Sequence, residues 1–153
     1  MRSTELTRGR TFGVIFDLGE DFFTALADFC KANEVRQGYI PMFLAAFSSV
    51  ELVGTCARIE DPMAPVWSGV HVTNVEAIGC GTLAYDPASD RVLPHLHASV
   101  GMKEHSAQAH TSHLLGATVQ FVTELLVVEV VGPEMRRPPK ADMYDVPLLE
   151  FQH

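Results

Sequence analysis

The chain has no CxxC pair, no uninterrupted run of apolar residues long enough to span a bilayer, and no excess of basic charge. Each lack removes a class of function. Only three cysteines occur among 153 residues, Cys30, Cys56 and Cys80. They are odd in number, far apart and set in apolar neighbourhoods. That pattern excludes a disulfide framework and cysteine-ligated zinc, and it reads as buried free thiols in a reducing compartment. The most apolar stretch, VQFVTELLVVEVV (119–131), is interrupted by Glu124 and Glu129 and falls short of the ~20 residues a spanning helix needs. No basic segment followed by an apolar core opens the chain, so the sequence carries no signal-peptide pattern and a cytoplasmic location is expected.

Basic residues are also scarce. Eleven Lys and Arg face nineteen Asp and Glu, a formal net charge of −8. Such a surface repels phosphate backbones, which disfavours direct nucleic-acid binding. Two short basic clusters, Arg2, Arg8 and Arg10, and Arg136, Arg137 and Lys140, read as solvated ends. Apolar residues at 47% and charged residues at 20% match an ordinary globular chain of a length that suits one domain.

Hydrophobic spacing supplies the elements. RTFGVIFDL (10–18) alternates as a strand does. EDFFTALADFCKAN (20–33) places Phe22, Phe23, Leu26, Ala27, Phe29 and Cys30 at helical spacing, with acids at its start and Asn33 as its end. Residues 38–58 read as two strands turning at Ser48-Ser49, with Pro41 marking an irregular or edge position. The segment 66–86 reads as β with a turn near Asn74, DPASD (86–90) as a turn, and 91–102 as a strand. Residues 103–112 read as a polar loop. The segment 113–132 reads as β, split near Thr123. Its LLVV breaks alternation, so both faces are expected to be covered there, one by a partner subunit. GPEMRRPPKAD is expected to be irregular, and YDVPLLEF to add one apolar contact. The sum is an α+β fold, one principal helix against a mainly antiparallel sheet, as a single domain over 1–153 with a core of about 10–132 and an extension over 133–153.

What the chain has in plenty is histidine in one place. Five of its seven histidines, His95, His97, His105, His110 and His113, fall within residues 95–114. Residues two apart on a strand share a face, so His95 and His97 project together while Leu96 turns to the core. Two same-face imidazoles make half of a site for a divalent transition metal. A third ligand must come from elsewhere; after a loop the chain returns with HTSH (110–113), where His113 opens the next apolar segment and His110 lies deeper in the loop. There is no HExxH and no adjacent glutamate to act as general base. Glu124 and His71 are the weaker candidates for an acid–base role.

The run HLHASVGM…SHLLGATVQFVTELLV resembles the PPC (plants and prokaryotes conserved) domain, whose pattern is a strand with HxH, a loop, GGHL, and a strand with TxE. Here HxH is His95-Leu96-His97, GGHL corresponds to Thr111-Ser112-His113-Leu114, and TxE resembles Val122-Thr123-Glu124. VEAIGCGTLAY and GVIFDLGEDFFTALADFCKANEV resemble the family's upstream segments, so the likeness spans about residues 10–132. The resemblance implies an α+β fold, a homotrimer, and zinc or another divalent metal held by His95, His97 and His113; the open position on such a metal makes a small-molecule ligand there part of the expectation. The family's plant members join the domain to an AT-hook and regulate DNA in the nucleus. Here Arg8-Gly9-Arg10 is followed by Thr11 rather than proline, so no AT-hook is present. Thr111-Ser112 stands where the family has Gly-Gly, which keeps His110 as the alternative third ligand. The expectation is a homotrimeric, metal-binding protein; the alternatives are a DNA-associated regulator without an AT-hook and a zinc-dependent hydrolase.

Overall fold

The computed structural model describes residues 1–55, 61, 63–65, 67–102, 104, 105 and 108–152. Cys56, and residues 60 and 62 of the expected loop at 60–65, lie outside them. Strand β1 (Thr7–Asp17) turns Phe12, Val14 and Phe16 inward and Thr11, Gly13 and Ile15 outward, as alternation predicts. Helix α1 (Phe22–Ala32) starts two residues later than expected, because Asp21 caps it. The Asp21 carboxylate accepts from Thr24 N at 2.8 Å, satisfying a backbone donor that the first turn leaves open. The acids therefore precede the first turn. Asn33 closes the helix as expected. Phe22, Leu26 and Cys30, four apart, form its buried face.

Four strands follow: β2 (Gly38–Thr55), β3 (Trp67–Asp86), β4 (Arg91–Met102) and β5 (Ala109–Gly132). The sheet order is β1-β5-β2-β3-β4, every pairing is antiparallel, and β4 pairs again with β5. That last pairing closes β2–β5 into a barrel, which the α+β expectation of a sheet under one helix did not contain. The long β5 serves both purposes. Residues 122–132 pair with β1, and residues 109–113 pair with β4. Phe22 enters the barrel from α1 and meets Phe16, Phe43 and Phe47 with ring centroids 5.3–5.8 Å apart. Among the described residues α1 is the one α-helix.

Three expected turns are absent. Ser48-Ser49 lies inside β2, which is paired on both edges, and Ser48 Oγ donates to Thr118 O at 3.3 Å. A polar pair there makes a register shift rather than a reversal. Pro41 also sits in a register shift, between Ile40 and Phe43. Asn74 bends β3 through a left-handed φ of 53° without ending it, a conformation Asn tolerates. Thr123 is 0% exposed within an unbroken β5, opposite Phe16 and Ala45. Ser48-Ser49 and Thr123 lie between ladder partners on both sides, and the bend at Asn74 is flanked by pairs to β2, so pairing outweighs the local preference.

The segment after residue 132 is more ordered than its prolines suggest. Strand β6 (Glu134–Arg136) pairs with β9 (Glu150–Gln152), and β7 (Pro139–Lys140) with β8 (Val146–Pro147). The expected apolar contact is there: Leu149 and Phe151 pack on Met135, Ala84 and Val130. The basic clusters are not free ends. Arg10 grips Glu129 through Nε at 2.8 Å and Nη2 at 2.7 Å, Arg136 pairs with Glu134, and Lys140 with Glu150. The LLVV expectation holds only in part. Val127 and Val128 are buried, whereas Leu126 stays 41% exposed. No described helix is long and apolar enough to cross a membrane.

Candidate metal centre

Strand β4 alternates about Leu96, Ala98 and Val100, each at most 1% exposed. Their burial turns His95, His97 and Ser99 to the outer face. His97 stands directly opposite His113 of β5, and opposite Cys80 on its other side. Opposed residues of an antiparallel pair share a face, so His113 joins the two histidines of β4. The three ring centroids lie 4.9–5.5 Å apart. One side-chain nitrogen from each falls within 4.8 Å of the others, and among the described residues this is the one such group of potential ligands.

His110 is not in a loop. It belongs to β5 opposite Val100, whose side chain faces the core, so its own side chain leaves on the other face from His113. His105 is an exposed turn residue. Thr111 and Ser112 replace the glycine pair without strain. Thr111 Oγ1 donates to Ser99 Oγ at 3.0 Å and Ser112 Oγ to Val53 O at 2.6 Å. Both hydroxyls are used inside a regular ladder, so the third histidine keeps its place. Glu124 is eleven residues along β5 from His113, on the order of 30 Å of strand away. His71 is taken up by Glu51, 2.5 Å from its Nδ1. Neither joins the cluster. Cys80 is exposed on the outer face rather than buried, because β3 presents it beside His97; Cys30 is buried, and burial pushes its thiol up to about 11.

One residue that sequence reading dismissed belongs here. Arg137 reaches over the site from the segment between β6 and β7. Its Nη1 donates to His95 Nδ1 at 3.2 Å, and its Nη2 donates to Thr82 Oγ1. Arginine only donates, so His95 Nδ1 carries a lone pair. Burial, with Arg137 and the other two histidines, lowers His95 to about 4. Burial, His97 and Arg137 also lower His113. Thus His95 is neutral at neutral pH, the state in which imidazole ligates. No spacing signal could have found Arg137, since it lies 42 residues from His95.

The donor set fits a transition metal. Zinc–nitrogen bonds of ≈ 2.0–2.1 Å at tetrahedral angles put two ligand nitrogens about 3.4 Å apart. Nitrogens already within 4.8 Å reach that spacing by small side-chain rotations. A cavity of about 800 Å³ opens between α1 and the facing ends of β3 and β4, and none of the three histidines lines it.

The family model of the Plants and Prokaryotes Conserved (PCC) domain, the PPC domain of the resemblance, matches residues 3–131. The chain belongs to this family. A plant- and prokaryote-conserved protein of Pyrococcus horikoshii superposes with a TM-score of 0.81 at 20% identity, covering 100% of this chain and 99% of that one. A metal-containing protein of Archaeoglobus fulgidus gives 0.79 at 18% identity, with both chains covered in full at 100%. A protein of Bacteroides thetaiotaomicron with a provisional DNA-binding designation gives 0.77 at 19%, covering 97% and 99%. At these identities the likeness shows the fold. No curated protein matches the chain.

Proposed function

We propose that this PCC-domain protein binds one divalent transition metal per chain, zinc foremost, through His95, His97 and His113. The observation that carries the reading is the convergence of three side-chain nitrogens within 4.8 Å from two adjacent strands. The metal-containing relative supports it. Three histidines leave at least one position of a tetrahedral zinc open to water or a ligand, the arrangement used in catalytic zinc sites. A hydrolytic reading needs a general base as well, and no described carboxylate joins the cluster. The role favoured is metal and small-molecule binding as a single domain, in a reducing cytoplasm where Cys30 and Cys80 stay as free thiols.

The reading includes a homotrimer. Ile15, Leu44 and Ile78 are 65%, 46% and 55% exposed on the outer face of β1, β2 and β3. Leu44 stands opposite Ile78, and Glu124 of β5 joins Leu44 to Ile15. Exposed apolar side chains on three strands, interrupted by the exposed Glu124 carboxylate, form a surface that a second copy would cover. The DNA-associated reading is disfavoured, because Arg10, Arg136 and Lys140 are each engaged by a carboxylate.

The test is metal content per chain by elemental analysis of untagged protein. Near-stoichiometric zinc, lost in His95→Ala and His113→Ala, is expected. Absence of metal after zinc is added back refutes the site. Native mass spectrometry should report three chains, and a monomer would refute the assembly. Duplex DNA at low salt is expected not to bind.

A further inference from the structure

Arg137 lies beyond the residues the family model matches, and its hydrogen bonds do not balance. Its Nε–H is buried with no partner. Among the described residues no carboxylate pairs with its guanidinium. A half-buried cation without a counter-ion, resting on a neutral imidazole, is costly to desolvate.

A metal on the histidines removes what support there is. His95 Nδ1 now accepts from Arg137 Nη1. A cation taken by Nδ1 uses that lone pair. A cation taken by Nε2 moves the imidazole proton to Nδ1, where it opposes the arginine N–H. In both cases Nη1 joins Nε as a donor without an acceptor, and two positive charges stand side by side. One small anion relieves the two deficits the metal creates, the lost acceptor at Nη1 and the paired positive charge; Nε–H, on another edge of the guanidinium from Nη1, is not met by the same anion. The anion supplies acceptors to the guanidinium and negative charge to both cations, and His97 on the exposed side leaves it a way in.

We propose that Arg137 makes this an anion-binding site, holding a small carboxylate, or an oxyanion of similar size, above the metal carried by the three histidines. The inference rests on the metal reading. A planar carboxylate matches the guanidinium, which can donate two parallel N–H bonds to it. Thr82, which accepts from Nη2, aims the guanidinium and is a positioning residue.

The test uses the full chain loaded with Co²⁺, whose visible bands report ligands entering the site. Acetate is titrated into wild type, Arg137→Gln and Arg137→Lys, each first shown to be folded and to hold one Co²⁺ per chain. Thiocyanate, which ligates metals without offering a carboxylate, is the comparison. Acetate is expected to bind about tenfold more weakly to Arg137→Gln, the loss of a hydrogen-bonded charge. Arg137→Lys is expected to recover part of the affinity, while thiocyanate changes little. Equal acetate affinity in wild type and Arg137→Gln, with Co²⁺ bound to both, overturns this inference alone. Failure of wild type to take up Co²⁺ overturns the metal reading and this inference together.

Discussion

Replacing Gly81 by alanine should damage the fold and the metal centre at once. Gly81 lies in β3 opposite Leu96, between the pairs Cys80–His97 and Thr82–His95. A Cβ there would sit inside contact distance of the His95 carbonyl oxygen, 2.5 Å from Leu96 Cδ2 and 2.9 Å from Leu96 Cα. Two of these obstacles are backbone, so no rotamer relieves them and β4 must back away from β3. Overpacking of this kind costs about 1–3 kcal/mol, and each weakened ladder bond about 1 more. A total of about 3 kcal/mol lowers the Tm of a chain this size by about 6–12 °C. Gly69→Ala is the control on the same strand, where a Cβ would meet nothing within 4 Å. It should be neutral or stabilise by up to about 1 kcal/mol. Urea and thermal unfolding at one protein concentration measure both. Zinc affinity should also fall in Gly81→Ala, since the carbonyl pushed aside belongs to a ligand. Equal stability of the two variants would refute the argument that β3 and β4 touch too closely for a side chain.

Zinc at a hundredfold excess over its Kd should stabilise by about 2.7 kcal/mol, a Tm rise of about 5–11 °C by calorimetry, and His113→Ala should abolish that rise. His110→Ala should leave zinc content unchanged, because its side chain faces away from the other imidazoles; loss of metal would reverse the assignment of the third ligand. Arg10 holds the Glu129 carboxyl down to about 2 from its ordinary 4.5. The stabilisation is therefore fully present above pH 4.5 and lost as pH falls toward 2. Glu129→Gln should melt below wild type at pH 7, with the gap closing between those limits; a gap independent of pH would refute the pair. His95 shifts the other way in charge. Its folded value near 4 lies below its ordinary 6.5, so its protonation favours the unfolded chain as pH falls through that window. A histidine NMR titration of the metal-free chain should place the His95 midpoint near 4, and a midpoint at the ordinary 6.5 would refute its burial beneath Arg137.

Local chemistry in the sequence decided several features. The period of Phe22, Leu26 and Cys30 demands a helix, while the start at Phe22, two residues later than the sequence suggested, is fixed by the Asp21 cap on Thr24 N. Leu96 between two histidines sends both to one side wherever Leu96 is buried, because a pleated strand has only two faces. His113 was singled out by its place at the head of an apolar segment and by its likeness to the family's GGHL. These signals are short in range and survive any tertiary setting that buries the apolar residues.

The tertiary structure decided the rest. Ser48-Ser49, Asn74 and Thr123 are turn-like or breaking in isolation, yet each lies in a strand held by neighbours that are remote in sequence. Cys80 looked buried in an apolar run, but its exposure depends on which face β3 turns outward. His110 or His113 as ligand was a question of register, since a shift of one residue on β5 exchanges the two faces. Arg137 was hidden most completely. Its chemistry exists only because the chain after β5 folds back across β3 and β4, and a cation's role is set by whatever it is brought against. The order of residues thus determined which side chains could bind a metal, and closure of the barrel determined which of them meet.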